Sequence, residues 1–519
     1  MSEPVHQRLT PAPPSGQLID SPRFPVAARH ELANDQQRAN LRHATHTIRD
    51  KRARVVAELD NWEQLRLAGE AIKNKVLRNL PEHLLQLEAS LTANGATVHW
   101  ARDAAEANRI VVGLVQATGS HEVVKVKSMA TQEIELNEAL EDAGIAAWET
   151  DLAELIVQLG HDRPSHILVP AIHRNRTEVR DIFREEMGRY GTPAPPDLDD
   201  NPANLANAAR GHLRDKFMRA RVAVSGANFA IADTGSLVVV ESEGNGRMCL
   251  TLPDTLISVV GVEKILPSFD DLEVFLQLLP RSSTAERMNP YTSIWSGRRE
   301  GDGPQDVHVV LLDNGRTRAL ADRQGRQALR CIRCSACLNI CPVFEKVGGH
   351  AYGSVYPGPI GAILNPQIRG TASEIDRSLP FASTLCGACG DVCPVRIPIP
   401  ELLVHLRHEV VEAKKADHGV HLPHAEPLMM RGGGWVMGDH RRLEAAQRAS
   451  TLGGGLLGRF TDHLGPLPWP LSAWTSARDV PTPPTETFRE WWRRERGDDP
   501  AGPAPHDHTS ADDAPEESR

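Results

Sequence analysis

Cys331-Ile-Arg-Cys334-Ser-Ala-Cys337-Leu-Asn-Ile-Cys341-Pro342 is followed further along by Cys386-Gly-Ala-Cys389-Gly-Asp-Val-Cys393-Pro394. Together the two runs, within Arg330 to Pro400, hold all but one of the eight cysteines. The first run reads C-x2-C-x2-C-x3-C-P, the spacing of bacterial ferredoxins, in which three thiolates hold one cubane and the fourth reaches to another. Iron in such clusters wants soft thiolates, and the short spacing lets one loop wrap three corners of a cube. The proline after each closing cysteine turns the chain away, so that this cysteine serves the neighbouring cluster. Applied to both runs, the crossing rule gives Cys331, Cys334, Cys337 and Cys393 to a first cluster. It gives Cys341, Cys386 and Cys389 to a second.

The second set is one thiolate short. Aligned on the first run, the second has Ser383 where a leading cysteine would stand. Three readings stay open: a three-iron cluster, a [4Fe–4S] cluster with a water, oxygen or partner ligand, or ligation by Ser383 itself. A zinc ribbon is the competing explanation. It needs only two CxxC pairs and has no use for Cys337, Cys341 or the two Cys-Pro endings.

Outward from this stretch, the 519-residue chain is long enough for two or three cores. Its net charge of −10 and pI near 6.1 exclude a nucleic-acid footprint. No apolar run approaches the roughly twenty residues of a membrane span, and the N-terminus lacks the apolar core of a secretion signal. Clustered cysteines in such a chain point to metal ligation in a reducing compartment, the cytoplasm, with partners offering contact to a membrane.

Residues 1–30, with Pro11, Pro13, Pro14, Ser15 and Gly16, read as a disordered lead-in. Residues 31–315 read as a helical lead-in followed by an α/β domain. Leu65, Ala68, Ile72 and Val76 repeat at helical steps, and Asn79-Leu-Pro81 breaks one helix from the next. Beyond Ala96, strands predicted at 96–100, 123–126, 145–148 and 166–170 alternate with helices at 104–116, 133–143 and 152–159. That alternation predicts parallel βαβ units. Later strands are expected at 222–225, 237–241, 256–262 and 307–312. The turn Asp313-Asn314-Gly315 marks a boundary. An iron–sulfur domain is expected over 316–415, a C-terminal region over 416–496, and a disordered acidic tail over 497–519.

Other residues carry less. Cys249 stands alone and reads as a buried structural cysteine. Arg326, Arg330 and Arg333 either offset the charge of the first cluster or form a solvated face. The loop Gly226 to Ser236 either offers N–H groups to an anion or is a tight turn feeding a strand. His405, His408, His418, His421 and His424 show no metal-ligand spacing. No G-x-G-x-x-G opens a βαβ unit, so no flavin or nicotinamide site follows from motif.

Several stretches together resemble the iron–sulfur subunits of the lactate-utilization system, the LutB or YkgF family. They are Lys127-Ser128-Met129, Glu133 to Leu140, Glu149 to Leu152, Arg163 to Ile167, Pro170 to His173, Gly226-Ala-Asn228, Ala232 to Gly235 and Asn289-Pro290-Tyr291. The likeness continues through Cys331 to Ile399 and reappears at Phe488-Arg-Glu-Trp491-Trp492. It implies a LUD domain, similar to the sugar-phosphate isomerase and CoA-transferase α/β fold, fused to an α-helical two-cluster ferredoxin-like module. It also implies two [4Fe–4S] clusters on the seven clustered cysteines, and a role in oxidising L-lactate to pyruvate beside a cysteine-rich subunit and a smaller LUD subunit. Three functions follow in order of expectation. The first is electron transfer within a lactate-oxidising complex to an acceptor at a membrane. The second is an autonomous enzyme acting on a small organic acid at the LUD domain or an open cluster iron. The third is a redox-sensing scaffold. No catalytic side chain is identified.

Overall fold

The computed structural model describes residues 21–417, 425–457, 463–464, 467, 472–475 and 478–496. The acidic tail after Gly497, the first twenty residues, and His418, His421 and His424 lie outside the described residues. The chain divides between Ala416 and Asp417 into two compact units.

In the first unit the predicted alternation becomes a parallel sheet. Ten strands are, in chain order, β1 (Thr97–Ala101), β2 (Glu122–Lys125), β3 (Ala146–Glu149), β4 (Val222–Ser225), β5 (Phe229–Ile231), β6 (Ser236–Glu241), β7 (Thr255–Gly261), β8 (Ile265–Leu266), β9 (Tyr291–Trp295) and β10 (Asp306–Leu312). Six pair in the order β1-β10-β7-β4-β2-β3, every ladder parallel. The central strands β4 and β7 are buried along their whole length. Their near-continuous apolar runs suit a sheet covered on both faces. On one face the helix Ala104–Ala117 buries Ala107, Val111 and Val115, one residue per turn. Asp103 caps it by accepting from the Glu106 N–H. A second sheet, β8-β5-β6-β9, folds beside the first. The Gly226–Ser236 loop contains β5 and turns at Gly235 (φ +62°) into β6, so the turn-and-strand reading holds.

Three local expectations fail for physical reasons. Residues 24–30, expected within a disordered lead-in, lie in the helix Phe24–Glu31, anchored by Phe24 against Tyr352 at 5.0 Å between ring centroids. The helix expected over 133–143 is two, Met129–Glu133 and Leu136–Asp142, because Glu135 takes a left-handed backbone (φ 56°) and Glu133 sinks its carboxylate into the interior. Residues 166–170 form no strand: the Leu168 and Val169 N–H groups donate to His166 Nδ1 and not to a neighbouring strand.

The cysteine lobe follows Gly315, whose left-handed φ of +89° and close approach to the Ile368 carbonyl leave no room for a side chain. Both sides of that turn belong to one compact unit. From Arg316 to Asp417 the described elements are all helical, including the buried helix Gly358–Arg369 and the closing helix Ile399–Asp417. In the closing helix Leu402, Leu403, Leu406 and Val410 are buried along one side. The helices Asp35–Val56 and Trp62–Arg78 pack against this lobe and also against Leu272–Ser283 of the α/β part.

The second unit has helices Ala425–Met437, His440–Leu457 and Phe488–Arg496. Phe488, Trp491 and Trp492 stack within 5.5–6.3 Å of one another. Among the described residues, no helix is long and apolar enough to cross a membrane.

Candidate iron–sulfur centres

The seven clustered cysteines come together as two groups. Cys331, Cys334, Cys337 and Cys393 line one cavity, walled by Ile167, Ile332, Ile360, Val395, Ile397 and Ile399. The loop that carries the first three bends through left-handed backbone at Arg333 (φ 61°) and Ser335 (φ 65°). Such strained turns persist where surrounding structure holds them, and here they point successive thiols inward. Backbone N–H groups aim at the sulfurs: Arg333 N to Cys331 Sγ and Ile397 N to Cys393 Sγ, each 3.4 Å. From outside, Arg52 Nη2 donates to the Val392 carbonyl at 2.9 Å and Arg66 Nε to the Cys393 carbonyl at 3.0 Å. The solvated-face reading fails for Arg330 and Arg333, which are 1% and 8% exposed.

Cys341, Cys386 and Cys389 make the second group. Cys386 and Cys341 are each other's charge neighbours, and both act on Cys389. Cys341 and Cys389 are buried, whereas Cys386 is exposed beside Leu385 and Phe381, which are 38% and 48% exposed. Ser383 Oγ accepts from the Leu385 N–H at 3.1 Å, and the Ser383 carbonyl accepts from Arg407 Nη2 at 3.2 Å.

The donor sets fit iron–sulfur clusters. All eight cysteines are unpaired in disulfide terms. Burial, then neighbouring thiols, push Cys334 and Cys389 up to about 12. Thiols so placed favour the neutral form, and a bound cationic centre would favour the thiolate. Tyr352 adds an orphan: it is fully buried, feels thiols of both groups (Cys341, Cys337 and Cys389), and its hydroxyl has no hydrogen-bond partner. Buried hydroxyls almost always have one, and the sulfur of a cluster held by either group would offer an acceptor for it. Cys249, by contrast, packs in the apolar core with its sulfur 3.6 Å from Thr150 Oγ1, and burial raises it to about 12, as a structural cysteine should be.

Comparison with known proteins agrees. Residues 84–312 match the LUD domain, 327–397 the 4Fe-4S dicluster domain, and 405–497 the C-terminal domain of lactate utilisation protein B. Lactate utilization protein B of Bacillus licheniformis is 40% identical over 496 residues, covering 93% of this chain and 99% of that protein. Its counterparts in Bacillus subtilis (39%, covering 91% and 96%) and Oceanobacillus iheyensis (40%, covering 89% and 94%) are similar. This chain belongs to the lactate utilization protein B family. It is an iron–sulfur protein of the 4Fe-4S dicluster kind.

Two of the family stretches, Arg163 to Ile167 and the one opening at Glu133, lie where the α/β part meets the cysteine lobe. Ser165 Oγ accepts from the Gly349 N–H at 2.9 Å. The Arg163 carbonyl accepts from His350 Nε2 at 2.9 Å, and His166 Nε2 meets Asn339 Oδ1, between Cys337 and Cys341, at 3.2 Å. A buried ionic chain crosses the same joint. Arg316 grips Glu133 with two nitrogens at 2.8 and 2.9 Å and also holds Glu263. Tyr356 Oη donates to Glu133 at 2.6 Å, Arg333 reaches Glu263 at 3.2 Å, and the Arg333 guanidinium lies 4.7 Å from the centre of the Tyr356 ring. Sequence reasoning missed Glu263, Arg316 and Tyr356. The available signal was Gly261: a Cβ there would lie 2.3 Å from a Glu263 carboxylate oxygen and 2.7 Å from Arg316 Nε.

Proposed function

We propose that this chain is the iron–sulfur electron-transfer subunit of an L-lactate-oxidising complex, with a cysteine-rich subunit and a small LUD-domain subunit as partners and an acceptor at a membrane. The observation that carries the reading is the unequal exposure of two adjoining thiol groups. In one, three thiols are buried and Cys331 is half-buried, and the other has Cys386 exposed at the surface. Each cluster, when bound, takes up and gives back one electron at a time. The chain's own residues prepare this. N–H donors at Arg333 and Ile397 favour thiolate sulfur, and Arg52 and Arg333 place positive charge beside the first group. The surface around Cys386, Leu385 and Phe381 gives a partner close approach to the second group. In this reading Cys331, Cys334, Cys337 and Cys393 hold the first cluster. Cys341, Cys386 and Cys389 hold the second, with a non-cysteine fourth ligand or three irons. Names of the relatives supply lactate and the resemblance supplies the partners.

The test is anaerobic reduction. L-lactate with both partner subunits is expected to bring up the electron paramagnetic resonance signals of reduced clusters, and their absence sinks the assignment. Iron counting separates the forms of the second cluster, with about eight irons per chain for two cubanes and about seven for one cubane and a three-iron cluster.

A further inference from the structure

A cavity of about 330 Å3 lies between the α/β part and the cysteine lobe. Its floor is made by residues at or just past the carboxyl ends of parallel strands: Lys127 and Ser128 after β2, Gly226 and Asn228 after β4, and Gly261, Glu263 and Lys264 at the end of β7. Open α/β sheets bind ligands in that position. Glycine is required there for space: a Cβ at Gly226 would lie 2.3 Å from Ser128 Oγ. Arg333 and Ile167 line both this cavity and the four-thiol cavity, so one side-chain layer separates the two.

The ionisable groups of the cavity fall into two sets. Glu243 has Asp151, Lys127 and Glu241 as charge neighbours; Lys264 has Arg333, Glu263, Cys331 and Arg316. In the second set, Glu133 and Glu263 are taken by Arg316 and Arg333. Lys264 is half-buried and has neither an ion pair nor a hydrogen bond among the described residues. Arg333 Nε is likewise buried without a partner. Lys73 stands behind them, donating to the Glu263 and Ile265 carbonyls. Cations thus outnumber carboxylates at this end, and an unpaired cation partly withdrawn from water favours an anion beside it. On the far wall Asn289 Oδ1 is also buried and unpartnered.

We propose that this cavity binds a short monocarboxylate, whose carboxylate is met by Lys264 and the adjoining Arg333. The volume lies at the small end of ligand sites and suits a molecule of a few heavy atoms. One unpaired ammonium matches a monoanion better than a phosphate dianion, for which no glycine-rich anion loop is present among the lining residues. The site stands independently of the proposed function, which supplies only the choice of lactate and pyruvate as probes.

The experiment is calorimetric titration of the cluster-loaded full chain with sodium L-lactate, pyruvate, acetate and inorganic phosphate at millimolar concentrations. At least one carboxylate is expected to bind, weakened roughly ten- to a hundredfold in Lys264→Met and restored to within a few fold in Lys264→Arg. Absence of carboxylate binding, or phosphate binding more tightly than any carboxylate, overturns the proposal. A redox titration of the same variants covers the competing explanation, that Lys264 only offsets cluster charge. A shifted potential in Lys264→Met with unchanged carboxylate binding also overturns it. Binding of acetate but not of lactate or pyruvate supports the site while counting against the lactate complex.

Discussion

The two thiol groups adjoin and are built from the same short spacings, yet their surroundings are opposite. Cys331, Cys334, Cys337 and Cys393 lie under the helices Asp35–Val56 and Trp62–Arg78 and meet the α/β part through Ile167. Cys341, Cys386 and Cys389 reach the surface through Cys386. The difference teaches that spacing sets which sulfurs meet, whereas the parts of the chain packed over them set what else they meet. One group addresses an internal cavity and the other addresses whatever docks outside.

Removing a sulfur from each group strains this comparison most. Cys337→Ala is expected to leave about four irons per chain in place of about eight, and to loosen the whole joint, since its loop also carries Arg333 and Asn339. Cys386→Ala is expected to lose iron from the second group with the first group's signal intact. Iron analysis with circular dichroism melts measures both, and equal unfolding in the two variants would remove the distinction. Next comes the ionic joint. Glu263→Ala leaves Arg316 half-paired and Arg333 without its carboxylate in the interior, which costs about 3–5 kcal/mol. Denaturant unfolding is expected to show that loss, and a cost below about 1 kcal/mol would mean that water reaches the joint.

Exposure gives a smaller, kinetic contrast. Ferricyanide under anaerobic conditions is expected to strip iron from the second group several times faster than from the first, because Cys386 is exposed whereas in the first group Cys331 is half-buried and the other three thiols are buried. Equal rates, followed by the two electron paramagnetic signals, would erase the inside–outside distinction.

What the sequence revealed followed from what is local in it. The cysteine grouping was legible because ferredoxin spacing is short-range chemistry, and the parallel sheet because βαβ alternation writes hydrophobic runs at fixed intervals. The segment at His166 was misread since its apolar Ile167, Leu168 and Val169 look like a strand. Only the folded chain shows His166 Nδ1 taking two backbone donors and His166 Nε2 facing Asn339. Whether Arg330 offsets cluster charge or lies on a solvated face stayed open in the sequence. Its partner Glu70 lies far away in the chain, on the helix Trp62–Arg78. The cavity was invisible because its lining comes from loops after three strands plus Arg316, Arg333 and Tyr356 of the cysteine lobe.

The smallest effect concerns the missing fourth sulfur. Ser383 stands where a leading cysteine would, but its hydroxyl oxygen already accepts from the Leu385 N–H at 3.1 Å, a local turn that settles Ser and Thr side chains onto their own backbone. The Ser383 carbonyl is held by Arg407, whose guanidinium also lies 5.3 Å from the centre of the Phe381 ring. Ligation would require the hydroxyl to ionise and leave that turn. Ser383→Ala is therefore expected to keep the iron content and signals of the second group and to cost only about 0.5–1 kcal/mol, the worth of one partly exposed hydrogen bond. Loss of an iron or a changed signal in this variant would make Ser383 the fourth ligand. The second group would then be as fully ligated as the first, and its exposure alone would distinguish it.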